Sequence, residues 1–272
     1  DLGDGVVIQD VAALTAEQGS TFGAGTDVEV VNEAGGRVVR LIPELSAQTA
    51  YLLAFRAHSA QLQKALAQLL DDSIRSAQCN RGVVGVNARV LHCGRIRNVH
   101  IGPYAILRGA ALLENGTILS CAEHPTVVGE AVQARQFVIA EGASVTSGVL
   151  LDKVFVGQAC KLGKQFSAEN SLFFANCEGF HGEAVSIFAG PYTVTHHKGT
   201  LLIAASFSFY NAGSGTNQSN HMYKLGPVHQ GVFERGTKTG SVSYVLHETH
   251  VGPFSVIIGK HYTNINTPDL PF

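Results

Sequence analysis

Histidines concentrate in the last third of this chain. Eight of the twelve follow residue 180: His181, His196, His197, His221, His229, His247, His250 and His261. An imidazole near neutral pH can take a proton from a hydroxyl or an amine. The two adjacent rings in "THHKGT" (195–200) cannot both point inward on a strand, so one is expected to face solvent. We therefore predict His196, His197 and His221 as catalytic candidates; the alternative is that paired histidines serve as corner residues bonded to the backbone.

Amide side chains gather in the same region, at Asn211 and within the polar stretch 213–231. Amides offer both donors and acceptors, which suits sugar hydroxyls or a nucleobase edge. Four cationic side chains could hold the phosphates of a CoA or nucleotide ligand or be ordinary solvated charges: Lys198, Lys224, Arg235 and Lys238. The alternative for this stretch is a long ordered turn whose side chains satisfy its own backbone. The predicted substrate-binding residues are Asn211, Asn217, Asn220, His229, Lys198 and Lys224.

A metal site is a third option for this region. Imidazoles of His181, His196, His197 and His221 could converge with the carboxylate of Glu183. No HxxxH, HExxH or cysteine–histidine spacing supports a metal site, so only the stacking of coils could bring these side chains together. The sequence therefore predicts neither a bound metal nor a bound cofactor.

Composition narrows the class of protein. The 272 residues include 30 glycines, no tryptophan and only 15% charged residues, a profile that suits a β-rich protein with tight corners. The net charge of −2 argues against a broad basic surface and hence against a nucleic-acid partner. There is no apolar run of membrane-spanning length and no signal peptide. Five cysteines without a CxxC pair indicate a reduced, cytoplasmic protein, and both ends look like cuts through a longer polypeptide.

A six-residue rhythm organises the chain from Val84 onward. This period is neither helical nor that of a simple strand, and it predicts a parallel β-helix built from hexapeptides. A five-residue step interrupts it in "IRNVHIGPYA" (96–105), "LDKVFVGQAC" (151–160) and "LHETHVGPFS" (246–255). The aliphatic side chains are expected to point inward and to be almost fully buried, among them Ile101, Leu107, Leu113, Ile139, Val145, Val156 and Leu162.

One segment departs from the rhythm. Residues 42–80 are rich in Ala, Leu and Gln, which favour helices. We interpret them as one long or two short helices inserted between β-helix coils at 1–41 and the main β-helix at 81–272, whose coils become variant from about residue 180. The favoured role of the insertion is to cover the prism or its open end, and the alternative is docking of a partner.

The repeat resembles the left-handed β-helix superfamily of acyltransferases and sugar nucleotidyltransferases. The segments "GKQFSAENSLFFANCEGFHGEA" (163–184), "FAGPYTVTHHKGTLLIAASFSFYNAGSGTNQSNHMYKLGPVHQG" (188–231), "GKHYTN" (259–264) and "VNEAGGR" (31–37) are more closely similar to an uncharacterised bacterial family of long hexapeptide-repeat proteins. The resemblance implies an all-β, left-handed parallel β-helix with a helical insertion.

The superfamily resemblance also implies an activity. Its acyltransferases use a histidine base, the role implied for His196 or His197, and superfamily members usually assemble as homotrimers. This favours acyl transfer from acyl-CoA, as a co-substrate, to a sugar or nucleotide-sugar acceptor. The usual short acyltransferase signature is missing, so a non-catalytic sugar-binding or assembly module stays open as the alternative.

Overall fold

The repeated aliphatic positions produce short strands that stack into a parallel β-solenoid. The computed structural model describes residues 1–56, 58–222, 226–227 and 230–270. The N-terminal elements are β1 (Val7–Gln9), β2 (Ala13–Thr15), β3 (Asp27–Glu29), β4 (Val38–Arg40), α1 (Ala47–Phe55) and α2 (Ala60–Ala77). The central strands are β5 (Arg89–Leu91), β6 (Arg95–Ile101), β7 (Ile106–Arg108), β8 (Leu112–Ile118), β9 (Val127–Val128), β10 (Gln133–Ile139), β11 (Ser144–Val145), β12 (Leu150–Val156), β13 (Lys161–Gly163), β14 (Ser167–Phe173) and β15 (Glu178–Phe180).

In the C-terminal coils the seven-residue strands are replaced by pairs of shorter ones. These strands are β16 (Glu183–Val185), β17 (Phe188–Ala189), β18 (Val194–Thr195), β19 (Leu201–Ile203), β20 (Ala205–Phe207), β21 (Asn211–Ala212), β22 (Asn217–Ser219), β23 (His221–Met222), β24 (Gly226–Pro227), β25 (Gly231–Phe233), β26 (Lys238–Thr239), β27 (Tyr244–Leu246), β28 (Thr249–Val251), β29 (Val256–Ile257), β30 (Lys260–His261) and β31 (Asn266–Thr267).

The coils present three faces. Face 1 is an eleven-stranded parallel sheet that runs from β1 to β29. Faces 2 and 3 are the two halves of a sixteen-stranded sheet, which bends at a column of residues with positive φ. The bend residues are Asn98, Asn115, Gln136, Lys153, Asn170, Ser186 and Ala204.

The predicted inward register is confirmed. Strands alternate their side chains between the two sides of a sheet, and here one side always faces the solenoid interior. The seven aliphatic residues predicted to point inward are all buried, with relative exposures of 0–1%. Successive face 1 strands pair Ser144 with Lys161 and Lys161 with Glu178, so a regular coil takes 17 residues. That length equals two six-residue steps and one five-residue step.

Two helices lie within the segment predicted to be helical, and with the β3–β4 hairpin they form a cap over face 3. We define the cap as residues 16–80. Its apolar side chains, including those of Val39, Leu41 and Leu53, share a buried cluster with outward-facing Phe155 and Leu172 of the solenoid. The cap therefore gives the outer side of face 3 a second hydrophobic core. The division into residues 1–41, 42–80 and 81–272 stays a prediction.

Candidate functional site

His196 lies at an exposed corner between faces 1 and 2, directly after β18. Its Nε2 is 2.6 Å from Oε2 of Glu178, which belongs to the preceding coil. Lys161 Nζ approaches the other carboxylate oxygen at 3.2 Å. The hydrogen bond with His196, followed by that with Lys161, lowers the pKa of Glu178. The imidazole also packs on the Phe180 ring, with centroids 5.2 Å apart, so His196 is oriented on an open surface.

The neighbouring candidates His197 and Lys198 lie in the same exposed turn. The ring centroids of His196 and His197 are 6.4 Å apart. The His197 carbonyl accepts a hydrogen bond from the hydroxyl of buried Thr200, which fixes the turn backbone. The two imidazoles are thus neighbours, but neither lines the groove described below.

The predicted amide candidates are distributed over different parts of the solenoid. Asn211 is exposed on face 1 and Asn217 is exposed on face 2. Asn220 is buried at the corner between faces 2 and 3, where its amide donates to the carboxylate of Glu33 in the cap. These three side chains therefore do not form one binding surface.

Three further predicted residues fall between β22 and β25. His229 and Lys224 lie outside the described residues. For His221 the structure describes only the backbone, which forms β23 and pairs antiparallel with β24. The roles predicted for these three residues stay predictions.

A groove of about 730 Å³ runs between α1 and face 3 of the solenoid. Its lining is mostly apolar and combines one side of the helix with the outer side of four coils. The lining residues are Ala47, Gln48, Tyr51, Leu52, Phe55, Phe188, Gly190, Pro191, Ser206, Phe207, Ser208, Val232, Phe233, Glu234, Arg235 and His250.

The groove exists because the cap covers only part of face 3. Register pairing aligns one outward column through successive coils: Val138, Phe155, Leu172, Phe188, Ser206, Val232 and His250. The first four are large, buried and in contact with the cap. The column emerges from the cap at Ser206, so its last three members form the floor and edge of the groove.

His250 and Glu234 form a hydrogen-bonded pair at the edge of this groove. His250 Nε2 is 2.7 Å from Glu234 Oε1, and both side chains are little more than one-third exposed. Strand β28 buries Thr249 and Val251, which turns His250 outward. Because a carboxylate only accepts hydrogen bonds, Nε2 carries the proton of the neutral ring and Nδ1 has the free lone pair. This is the arrangement of an oriented general base.

Arg235, beside Glu234, has its guanidinium 4.1 Å above the centroid of the Phe209 ring. Phe209 in turn stacks on Tyr192, with centroids 4.9 Å apart. Among the described residues no carboxylate lies within salt-bridge distance of Arg235. The adjacent carboxylate, that of Glu234, pairs with His250 instead. Within the described part of the chain, the groove therefore has at its edge an oriented cation that no carboxylate pairs with.

Inside the solenoid, His247 is fully buried at the bend between β27 and β28. Its Nε2 is 3.0 Å from the Ile203 carbonyl oxygen, and the Ile203 amide donates to Oε1 of Gln218 at 2.9 Å. A Cβ on Gly231 would be 2.2 Å from the imidazole, so the absence of a side chain makes room for the ring. Burial lowers the pKa of His247 to about 4. This imidazole is neutral and structural, in contrast to the histidines at the surface.

The described part of the chain offers little support for a metal site or a membrane-spanning helix. No group of three or more His, Cys, Asp or Glu side chains there is placed to hold a metal ion. No helix in the described ranges is both long and apolar enough to cross a membrane.

Sequence reasoning did not find the Glu234–His250 pair or the groove. One signal was present: a glutamate precedes the histidine by 16 residues, and Glu178 precedes His196 by 18. Both separations are close to one coil. In a solenoid this spacing places the two side chains side by side, so an acid one coil before a histidine predicts a pair.

Taken together, the fold and the groove define a capped parallel β-solenoid protein. The family described as "Domain of unknown function (DUF4954)" matches residues 1–272, and the chain belongs to this family. It is also similar to an uncharacterised protein of Treponema pallidum (strain Nichols), with 26% identity over 286 residues. The alignment covers 100% of this chain and 39% of that relative, so the chain spans about two fifths of the relative's length.

Proposed function

We propose that the groove is the site of an acyl transfer from a thioester to a hydroxyl or amino group of a sugar or nucleotide sugar. The observation that carries the proposal is the Glu234–His250 pair at the edge of an apolar groove. The apolar lining suits the acyl group, and a histidine base next to it could activate the acceptor. The donor would be an acyl-CoA.

The chemical step uses His250 as the general base. Nδ1 takes the proton from the acceptor hydroxyl or amine while the acceptor atom attacks the thioester carbonyl carbon. The carbon–sulfur bond then breaks, and the thiolate leaves with the proton returned by His250. Glu234 holds the ring orientation through Nε2 and stabilises the imidazolium that forms transiently.

The experiment measures free thiol released from acyl-CoA in the presence of a panel of amino and hydroxy sugars. His250→Ala should lower the rate by about 10²–10⁴-fold, the usual cost of losing a general base. His196→Ala is the matched control, since it removes an imidazole from an equivalent pair outside the groove, and it should leave the rate unchanged. Loss of activity in His196→Ala alone would place the base at the corner instead.

The non-catalytic alternative predicts a different result. If a sugar or an acyl compound raises the melting temperature of the wild type, and no acceptor yields free thiol, the groove binds without turnover. In that case His250→Ala would change affinity only.

We propose that the solenoid has the left-handed hexapeptide architecture and assembles as a homotrimer. The support is the 17-residue coil, which fits hexapeptides with one shortened step, and the cap, which occupies face 3 and leaves faces 1 and 2 for neighbouring subunits. Light scattering at micromolar concentration should give three times the mass of 28.8 kDa. A monomer mass would refute the assembly, and an experimental structure would test the handedness.

A further inference from the structure

Arg235 combines three features. It is exposed, it lines the groove, and its guanidinium lies flat on the Phe209 ring. An arginine that stacks on an aromatic ring loses little freedom when it binds a ligand, because its planar fork is already oriented. Phe209 is itself fixed by Tyr192 on the preceding coil, so the stack has three layers.

The backbone around Arg235 is equally well fixed. Its carbonyl accepts a hydrogen bond from the Phe254 amide at 2.9 Å, and the next residue, Gly236, donates to the Ser208 carbonyl at 3.0 Å. The adjacent carboxylate of Glu234 is bonded to His250. Within the described residues, the guanidinium has no hydrogen-bond acceptor, so its donors are available to a ligand.

We propose that Arg235 binds the phosphate of the acyl carrier and selects phosphate-bearing thioesters as donors. An apolar groove with one oriented guanidinium at its edge is complementary to an apolar chain joined to an anion. Guanidinium groups pair with phosphate oxygens through two parallel hydrogen bonds. The acyl chain would extend along the groove with its thioester near His250, and the pantetheine arm between thioester and phosphate would fold back to bring the phosphate to Arg235. This inference rests on the proposed function, since it identifies the donor for the same groove.

The test measures binding alone, by calorimetry, with three probes: octanoyl-CoA, the phosphate-free thioester octanoyl-N-acetylcysteamine, and free octanoate. Arg235→Gln should weaken octanoyl-CoA binding by about ten- to a hundredfold, the range for a hydrogen bond to a charged group. It should leave the phosphate-free thioester unaffected. Arg235→Lys should recover part of the loss, because an ammonium keeps the charge without the fork and the stacking.

Lys260→Gln is the matched control, because Lys260 is exposed on face 2, outside the groove, and carries the same charge. An equal loss in this variant would mean that only net charge matters, and would overturn the proposal. So would equal binding of the two thioesters by the wild type, or octanoate binding as tight and as dependent on Arg235 as that of octanoyl-CoA. The melting temperature of each variant, measured in parallel, shows that it is folded.

Failure of this inference can be distinguished from failure of the proposed function. If octanoyl-CoA binding depends on Arg235 but no acceptor yields free thiol, the phosphate site stands and the catalytic step does not. If free thiol is released at wild-type rates by Arg235→Gln at low donor concentration, catalysis stands and the phosphate site is refuted.

Discussion

Glu178 and His196 form a pair on one side of the solenoid, and Glu234 and His250 form a pair on another. Each pair combines a carboxylate and an imidazole from successive coils. Their separations are nearly equal, at 2.6 and 2.7 Å. The first pair also contacts Lys161 and lies on an open corner. The second lies at the edge of an apolar groove under α1. A stacked acid–imidazole pair is thus easily produced by a solenoid, and its chemical use depends on what covers the neighbouring face.

The cap produces this difference. It lies over face 3, where outward residues such as Phe155 and Leu172 are apolar, and leaves the corner of His196 uncovered. The side chains of the two pairs are similarly exposed, so the difference lies in the apolar lining beside the second pair. A ligand bound in the groove would exclude water there and strengthen the interactions of the second pair. The following predictions test this contrast, beginning with the largest expected effect.

Removing an aromatic ring near each pair should give the largest difference in the free energy of unfolding. Phe188, on the groove floor, is buried and contacts Phe55 and Phe174. Phe188→Ala should lower the free energy of unfolding by about 3–5 kcal/mol, the usual cost of removing a buried phenyl ring. Phe180→Ala beside His196 removes a partly exposed ring and should cost much less. Urea denaturation followed by circular dichroism measures both; equal losses would contradict the comparison.

Acidification should lower the stability of the fold through His247, which is on the groove side of the solenoid. The unfolded imidazole binds a proton below its ordinary pKa of 6.5, whereas the buried ring does so only near its lowered pKa of about 4. The unfolded state therefore gains protons first, and stability falls as the pH drops from 6.5 to 4. The loss should approach about 3 kcal/mol. His247→Gln, which keeps a donor for Ile203, should lack this part of the pH dependence in unfolding experiments at pH 7 and pH 4.5.

The interior beside β25 should not accept a methyl group. Gly231→Ala would place Cβ 2.2 Å from His247 and should destabilise the fold by about 1–3 kcal/mol, as overpacking does. Gly240→Ala is the control, because its nearest neighbour would be a side-chain atom of Ile258 at 3.4 Å. Melting temperatures measure both variants. If they fall equally, His247 does not depend on the space at Gly231.

The smallest effect should come from the exposed pair. Glu178→Gln should change the free energy of unfolding by only about 0.2–1 kcal/mol, as for surface ion pairs, and less at high salt. Since hydrogen bonding lowers the pKa of Glu178, its contribution is present above the ordinary carboxyl pKa and is lost as the pH falls through the lowered value. Unfolding at low and high salt near pH 7 tests the size, and a loss of several kcal/mol would contradict it.

The sequence predicted local features of the fold well. The inward register of Ile101, Leu107 and the later aliphatic positions follows from a short repeat, so each coil carries its own information. The helices at 47–55 and 60–77 likewise follow from local composition. The groove could not be predicted in this way, because α1 and the residues around His250 are about 200 positions apart in the chain.

The site residues show the same limit. His196 is exposed, as expected for one ring of an adjacent pair, and its acid partner comes from another coil. Asn211, Asn217 and Asn220 are close in sequence, but a solenoid turns a corner every few residues and so separates them. Neighbours in the chain are therefore poor guides to neighbours in space here, whereas residues one coil apart are good ones.

The bend between β22 and β25 is a candidate site for protein engineering. Every bend from Asn98 to Ala204 uses one residue, whereas residues 220–230 separate β22 from β25, and both strands keep their places in the ladder. A foreign loop or a small domain with closely spaced ends could be grafted there without changing the coils on either side. The graft would have to retain Gly231 and His247, because the His247 ring occupies the space that the missing side chain of Gly231 leaves.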